Sequence, residues 1–274
     1  AMPVVRHALA AMVIVHALLA GWASAQVTVG GLGTNTVDAT AYSGTQTLTK
    51  IGTNQVSLTG ALSYTGSTTV QSGTLAVSGV TAVNGFRSST VIPAGSTFVV
   101  DTAAAAASGN RLFTFSGSGA FIKTGTGVWR TANGGSVGAV FALSPGAWID
   151  IQQGTIQNDF QGTKFATNQA NVNIAAGALL DFYAENGQLD ALTGAGTLQN
   201  NYAGGLHLVT LGVAGGSGTF AGVVRDGPNS GSFKLSIIKS GSGTQVFSGS
   251  NTYSGSTSIT GGVLRAATAN TLSA

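Results

Sequence analysis

"FSGSNTYSGSTSITGGVLRA", Phe247 to Ala266, is the stretch whose reading decides the fold. It holds one charge, Arg265, among Gly, Ser and Thr. Composition alone would make it a flexible linker. Yet apolar residues return through it, at Phe247, Tyr253, Ile259, Val263 and Leu264. A partner lies 189 positions upstream. "KIGTNQVSLTGALSYTGSTTVQSGTL" (Lys50 to Leu75) aligns without a gap on "KSGSGTQVFSGSNTYSGSTSITGGVL" (Lys239 to Leu264). Lys50 meets Lys239, Tyr64 meets Tyr253, Gly66 meets Gly255 and Leu75 meets Leu264. Where identity fails, apolar character persists: Leu58 meets Phe247 and Val70 meets Ile259. Asn54 stands where the second copy has Gly243. Asn tolerates a left-handed backbone better than other non-glycine residues, so a positive-φ turn is expected there.

Two further units recur. "FSGSGAF", "LTGAGTL" and "AGGSGTF" begin at Phe115, Leu192 and Ala214, and "FIKTGTG" at Phe121 is a near-copy of "IIKSGSG" at Ile237. "IPAGSTFVVD", "LSPGAWIDI" and "IAAGALLDF", from Ile92, Leu143 and Ile174, each place a Gly three residues after an apolar residue and end near an Asp. Unequal copies about 20 to 30 residues apart are the mark of a solenoid. Thr and Val alternate with polar residues, and Gly punctuates every few positions, so the units read as short strands and turns. The expected fold is all-β, a right-handed parallel β-helix. A β-sandwich offers similar short strands. A membrane β-barrel needs strands of ~10 residues with aromatic girdles, and the aromatics here are sparse and irregular.

Bulk composition agrees. The chain has 274 residues, 43% hydrophobic and only 7% charged. Disordered chains combine low hydrophobicity with high charge, so the 42 glycines mark turns rather than disorder. The formal charge of +3 is spread over isolated Lys and Arg. Nucleic-acid binding requires clustered cations to neutralise phosphates, and it is not expected. Without Cys there are no disulfides, Cys-based zinc sites or thiol chemistry.

Residues 1–25 read as a signal peptide. Arg6 and His7 precede an apolar run from Ala8 to Ala20, and Ala23-Ser24-Ala25 forms a small-x-small cleavage site before Gln26. The run is short for a membrane span of ~20 residues. Residues 26–274 form the solenoid unit, with its repeats at 50–75 and 239–264. The chain ends at "ATANTLSA", in what reads as another coil, so a fragment or a truncated frame of a longer protein is expected.

The paired segments resemble the passenger-associated repeat of bacterial autotransporters. The resemblance rests on Lys239-Ser-Gly-Ser-Gly243, on Gly249-Ser-Asn-Thr-Tyr253-Ser-Gly255-Ser-Thr257, and on Gly261-Gly262-Val-Leu264. "GTFAGVVRDG", Gly218 to Gly227, is similar to the strand and turn that often precede it. The upstream copy departs at Asn54 and at Leu62-Ser63. The resemblance implies an exported β-helical stalk, adhesin-like, tethered to the outer membrane by a C-terminal β-barrel translocator absent from this chain. It implies partners such as host-surface glycans, proteins or further copies of the chain. Function is the weaker implication, because one scaffold carries adhesins, proteases and esterases.

Outside the leader the one histidine is His207, between Leu206 and Leu208; the alternation reads it as a surface residue of a coil. No G-x-S-x-G or H-E-x-x-H occurs. Asp150, Asp159, Asp181, Glu185 and Asp190 are the candidates for a carboxylate pair, as a β-helical polysaccharide lyase or glycosidase would need. Asp150 and Asp181 fall at one place in the third unit, four residues after its Gly, which reads as a coil position. Trp129 and Trp148 could stack on sugars, but each sits in an apolar strand pattern that favours filling or flanking a coil. No catalytic, cofactor or metal residue is nominated, and the chain reads as non-enzymatic.

Overall fold

The computed structural model describes residues 14–16, 26–267 and 272, apart from 32, 34, 109–110, 135–136, 159–163, 184, 203, 205–206 and 230–233. The leader and Asp159 therefore lie largely or wholly outside the described residues. Its strands are two to five residues long. None could bury a face alone, so each is stable only against the coil above and below. In Gln55–Thr59, Val56 and Leu58 point inward; in Thr97–Asp101, Phe98 and Val100 do so. After the first of these strands Gly60 breaks the ladder and the chain turns; after the second it bends at Ala103 and Ala104.

Strands cycle through three faces. The first carries a seven-stranded sheet and a four-stranded sheet; the second an eleven-stranded sheet; the third a two-stranded and a six-stranded sheet. Phe141 donates its N–H to Lys164 O, and Phe165 bridges in parallel to Gly187, which continues the first face between its two sheets. Among the described residues pairing is parallel, except where Ile14–His16 runs antiparallel to Gln26–Val29. The result is a parallel β-solenoid of about ten turns. Coil length varies, from the Val56-to-Leu75 step to the longer Phe121-to-Ile149 step. Insertions at corners absorb the difference while the inward column stays in register.

That column holds the core. Val56, Leu75, Phe98, Phe121, Ile149, Val172 and Leu192 stack directly along the second face, all buried. Rings also run through the interior, from Tyr42 and Tyr64 through Phe86, Phe115 and Phe141 to Phe165 and Phe182. The one helix among the described residues, Val80–Gly85, stands where a third-face strand would be and buries Ala82 and Val83. No helix among the described residues is long and apolar enough to cross a membrane.

The repeated units prove portable between corners. "FSGSGAF" turns from the first face to the second, whereas "LTGAGTL" turns from the second to the third. The third unit behaves likewise. Gly95, Gly146 and Gly177 share positive φ of 78°, 84° and 81°. The first two lead into the second face and the third leads into the third face. Asp150 and Asp181 are thus not one coil position, which corrects the sequence reading. The turn fixes the local geometry, and the lengths of the flanking coils decide which corner it makes.

Candidate functional site

The alignment of Lys50 with Lys239 has a structural cause. Both end a first-face strand, eight turns apart, and both side chains are fully buried. Beyond each lysine the chain turns, and its carbonyls lose their ladder partners. The ammonium supplies the missing donors. Lys50 Nζ donates to Ile51 O and Gly52 O at 2.8 Å each, and to Ser72 O of the next coil at 3.1 Å. Lys239 Nζ donates to Ser240 O, to Gly241 O at 3.2 Å and to Gly261 O of the next coil at 3.4 Å. The "K-x-G" opening and the "Gly-Gly" exit of the repeat are therefore stacked neighbours at one corner. Lys123, in "FIKTGTG", does the same at the next corner, donating to Thr124 O and to Gly125 O. Burial pushes the Lys123 ammonium down to about 8, against a smaller opposing pull from Asp101, and lowers Lys50 and Lys239 for the same reason. Sequence reasoning passed over these lysines as isolated charges. The available signal was their threefold recurrence two residues before a glycine.

The Asn54 expectation needs correction. The positive φ lies at Gly52 and Gly241, 75° and 61°, and neither Asn54 nor Gly243 adopts it. Gly243 is glycine because a Cβ there would meet Gly216 O at 2.1 Å. Asn54 instead turns its side-chain oxygen toward Lys50 Nζ, 3.5 Å away.

The four candidate carboxylates among the described residues each accept hydrogen bonds from within the protein. Asp181, in a third-face strand, is buried and accepts from Gln157 Nε2, Gln199 Nε2 and the N–H groups of Tyr183 and Asn201. Burial raises its pKa, with those bonds opposing. Glu185 forms a buried ion pair with Lys164 at 2.6 Å. Asp190 accepts the N–H groups of Ala214 and Gly216. Asp150 stands on the outer second face. Each of these four is held by donors of the protein itself. Among the described residues no three His, Cys, Asp or Glu gather as a metal site.

His207 corrects another expectation. It is 3% exposed, with Nε2 3.1 Å from Gly204 O. The phase of the following strand is set by Val209 and Leu211, which stack inward on Ile237 and Lys239. His207 shares that inward phase, and Leu208 is the residue facing out.

The tryptophans separate. Trp129 is 1% exposed, packs on Phe121 and donates from Nε1 to Ser108 Oγ. Trp148 begins its second-face strand pointing outward, 41% exposed. It borders a cleft of about 450 Å³ with Ala120, Ile122, Asp150, Asn173 and Thr193. A smaller cleft beside the helix, about 280 Å³, contains Arg87 and Arg130, which donate to Gly85 O and Gln157 Oε1.

Comparison with known proteins matches residues 48–77 and 237–266 to the passenger-associated-transport-repeat family. The chain carries two of these repeats, and each runs from a first-face strand of one coil into the second-face strand of the next. The chain is also similar to the adhesin BmaC autotransporter of Brucella suis biovar 1 (strain 1330), 33% identical over 150 residues. That match covers 54% of this chain and 4% of the relative's length. No solved structure matches significantly.

Proposed function

We propose that this chain is a stretch of an autotransporter passenger, exported through the Sec route and displayed at the cell surface as a β-solenoid stalk with adhesive function. One observation carries the reading: two transport repeats occupy the same corner of a single solenoid, eight turns apart. The mechanism is extension. Each coil adds ~4.8 Å, so about ten turns project a surface by roughly 48 Å. The outward Ser, Thr, Asn and Gln residues offer hydrogen bonds to a partner while the inward column carries stability. Residues 1–25 act as the cleaved leader, and the β-barrel translocator belongs to the full-length protein. The carboxylate arrangement and the adhesin relative both favour a non-enzymatic role.

The test is display. The chain, with its own leader, is fused ahead of an outer-membrane translocator barrel in a non-adherent bacterium. Added protease should remove it from intact cells, its mature N-terminus should be Gln26, and the cells should gain attachment to host-cell monolayers. Retention in the cytoplasm with an unprocessed leader would overturn export. Display without attachment would overturn adhesion alone.

A further inference from the structure

We propose that the cleft at Trp148 is a binding site for a neutral glycan chain lying across the second face. The register builds it. Thr97, Ala120, Trp148 and Asn171 lie side by side on successive coils, as do Val99, Ile122, Asp150, Asn173 and Thr193 in the next outward row. Small residues thus flank a large exposed indole, and a shallow trough results. A second cleft of about 390 Å³ shares Ile122 and continues over Val99, Thr97 and Ala76. Together the clefts run from the Gln55–Thr59 strand to Leu192–Gly194, seven strands of one sheet. At ~4.8 Å per strand that is roughly 29 Å of groove, long enough for an oligosaccharide.

The chemistry selects the ligand. An exposed indole face is apolar and takes the C–H face of a pyranose ring. Beside it the hydrogen-bonding groups are already oriented. Asn173 Nδ2 donates to Asp150 Oδ1 at 2.7 Å, Gln152 Nε2 donates to Asp150 Oδ2 at 2.8 Å, and Thr193 Oγ1 donates to Asn173 Oδ1 at 3.2 Å. A carboxylate so fixed keeps lone pairs for sugar hydroxyls. Among the described residues no Lys or Arg lines either cleft, and Asp101 and Asp150 do. Acidic glycans are therefore repelled. The apolar part is one indole with Ala120 and Ile122, too small for a protein interface, which needs about 1,000 Å². In the surface-passenger reading, on which its biological setting rests, this groove is where the stalk touches host or neighbouring polysaccharide.

The test uses the purified full chain in a Trp22→Phe background, leaving Trp129 buried and Trp148 exposed to acrylamide. Hexasaccharides of glucose, mannose and galactose are titrated to millimolar concentration, with a heparin hexasaccharide as the anionic control. At least one neutral chain should protect the exposed indole from quenching. By calorimetry, Trp148→Ala should weaken that binding about tenfold or more, and Asp150→Asn should weaken it less, with melting unchanged in both. The proposal is overturned if no neutral chain protects Trp148, if Trp148→Ala binds undiminished, or if the heparin fragment binds best. Because binding is read on purified protein, failure here leaves the display result standing, and the reverse also holds.

Discussion

A lysine at the end of a strand usually reaches water, and here three reach the carbonyls of their own corners instead. The arrangement makes pH a direct probe. Lys123 has a folded pKa of about 8 against an ordinary 10.5. Between those values the unfolded chain binds a proton that the folded chain does not. The contribution of this group to stability therefore rises as pH climbs from about 8 to about 10.5, and that gain is lost again as pH falls from 10.5 to 8. Lys123→Met removes the titrating group while keeping the buried stem. Urea midpoints at pH 7.5, 9 and 10.5 should show wild type gaining on the variant across that window; a constant or falling difference would contradict the assignment. The sequence displayed Lys50 and Lys239 in matching places but not their burial. Charge assigns a lysine to the outer face, whereas strand alternation sets each in phase with the inward Leu48, Phe121 or Ile237, and the carbonyls of the corner accept its ammonium there.

At the scale of the element, the glycines of the repeat divide by cause. Gly52 and Gly241 need positive φ. Gly66 and Gly255 do not; they are glycine because coils approach there. A Cβ on Gly66 would lie 2.1 Å from Gln46 O, and one on Gly255 would lie 2.2 Å from Leu235 O. Gly66→Ala should therefore cost about 1–3 kcal/mol, as overpacking does, and Gly255→Ala a similar amount. Thermal or denaturant unfolding checks both, and a neutral Gly66→Ala would mean that the coils are spaced more loosely than described. The spacing Tyr-x-Gly was legible in the two copies, in which the structure pairs Tyr64 OH with Thr68 Oγ1 and Tyr253 OH with Thr257 Oγ1. The destination of a turn was not. Asp150 and Asp181 follow turns of one geometry yet stand on different faces, because corner identity depends on how much chain each coil has already used. His207 was misread for a related reason: the strand phase comes from Val209 and Leu211, stacked on the next coil, and no local pattern reveals that stacking.

For the whole molecule, parallel stacking couples each coil only to its neighbours, so stability varies along the axis. The interior changes character near Phe182. Up to that point rings contact one another from coil to coil, and Phe115 alone meets Phe86, Phe98, Phe113, Phe121, Trp129 and Phe141. Beyond it the column relies mainly on aliphatic side chains such as Leu198, Val209, Leu211, Val224 and Ile237, with Phe220, Phe247 and Tyr253 among them. Aromatic pairs add about 0.5–1.5 kcal/mol each beyond the area they bury. The coils between Tyr42 and Phe182 should therefore open later than those from Gly187 to Ala266. Hydrogen exchange read by mass spectrometry should show two protection levels that meet near Phe182, and urea should melt the C-terminal coils first. Phe115→Ala should cost about 3–5 kcal/mol and lower protection from about Phe86 to Phe165. Peptides beyond Gly187 should exchange as before. If Phe115→Ala instead collapsed protection uniformly through Ala266, the chain would be unfolding as one cooperative unit, and the nearest-neighbour account of the stalk would fail.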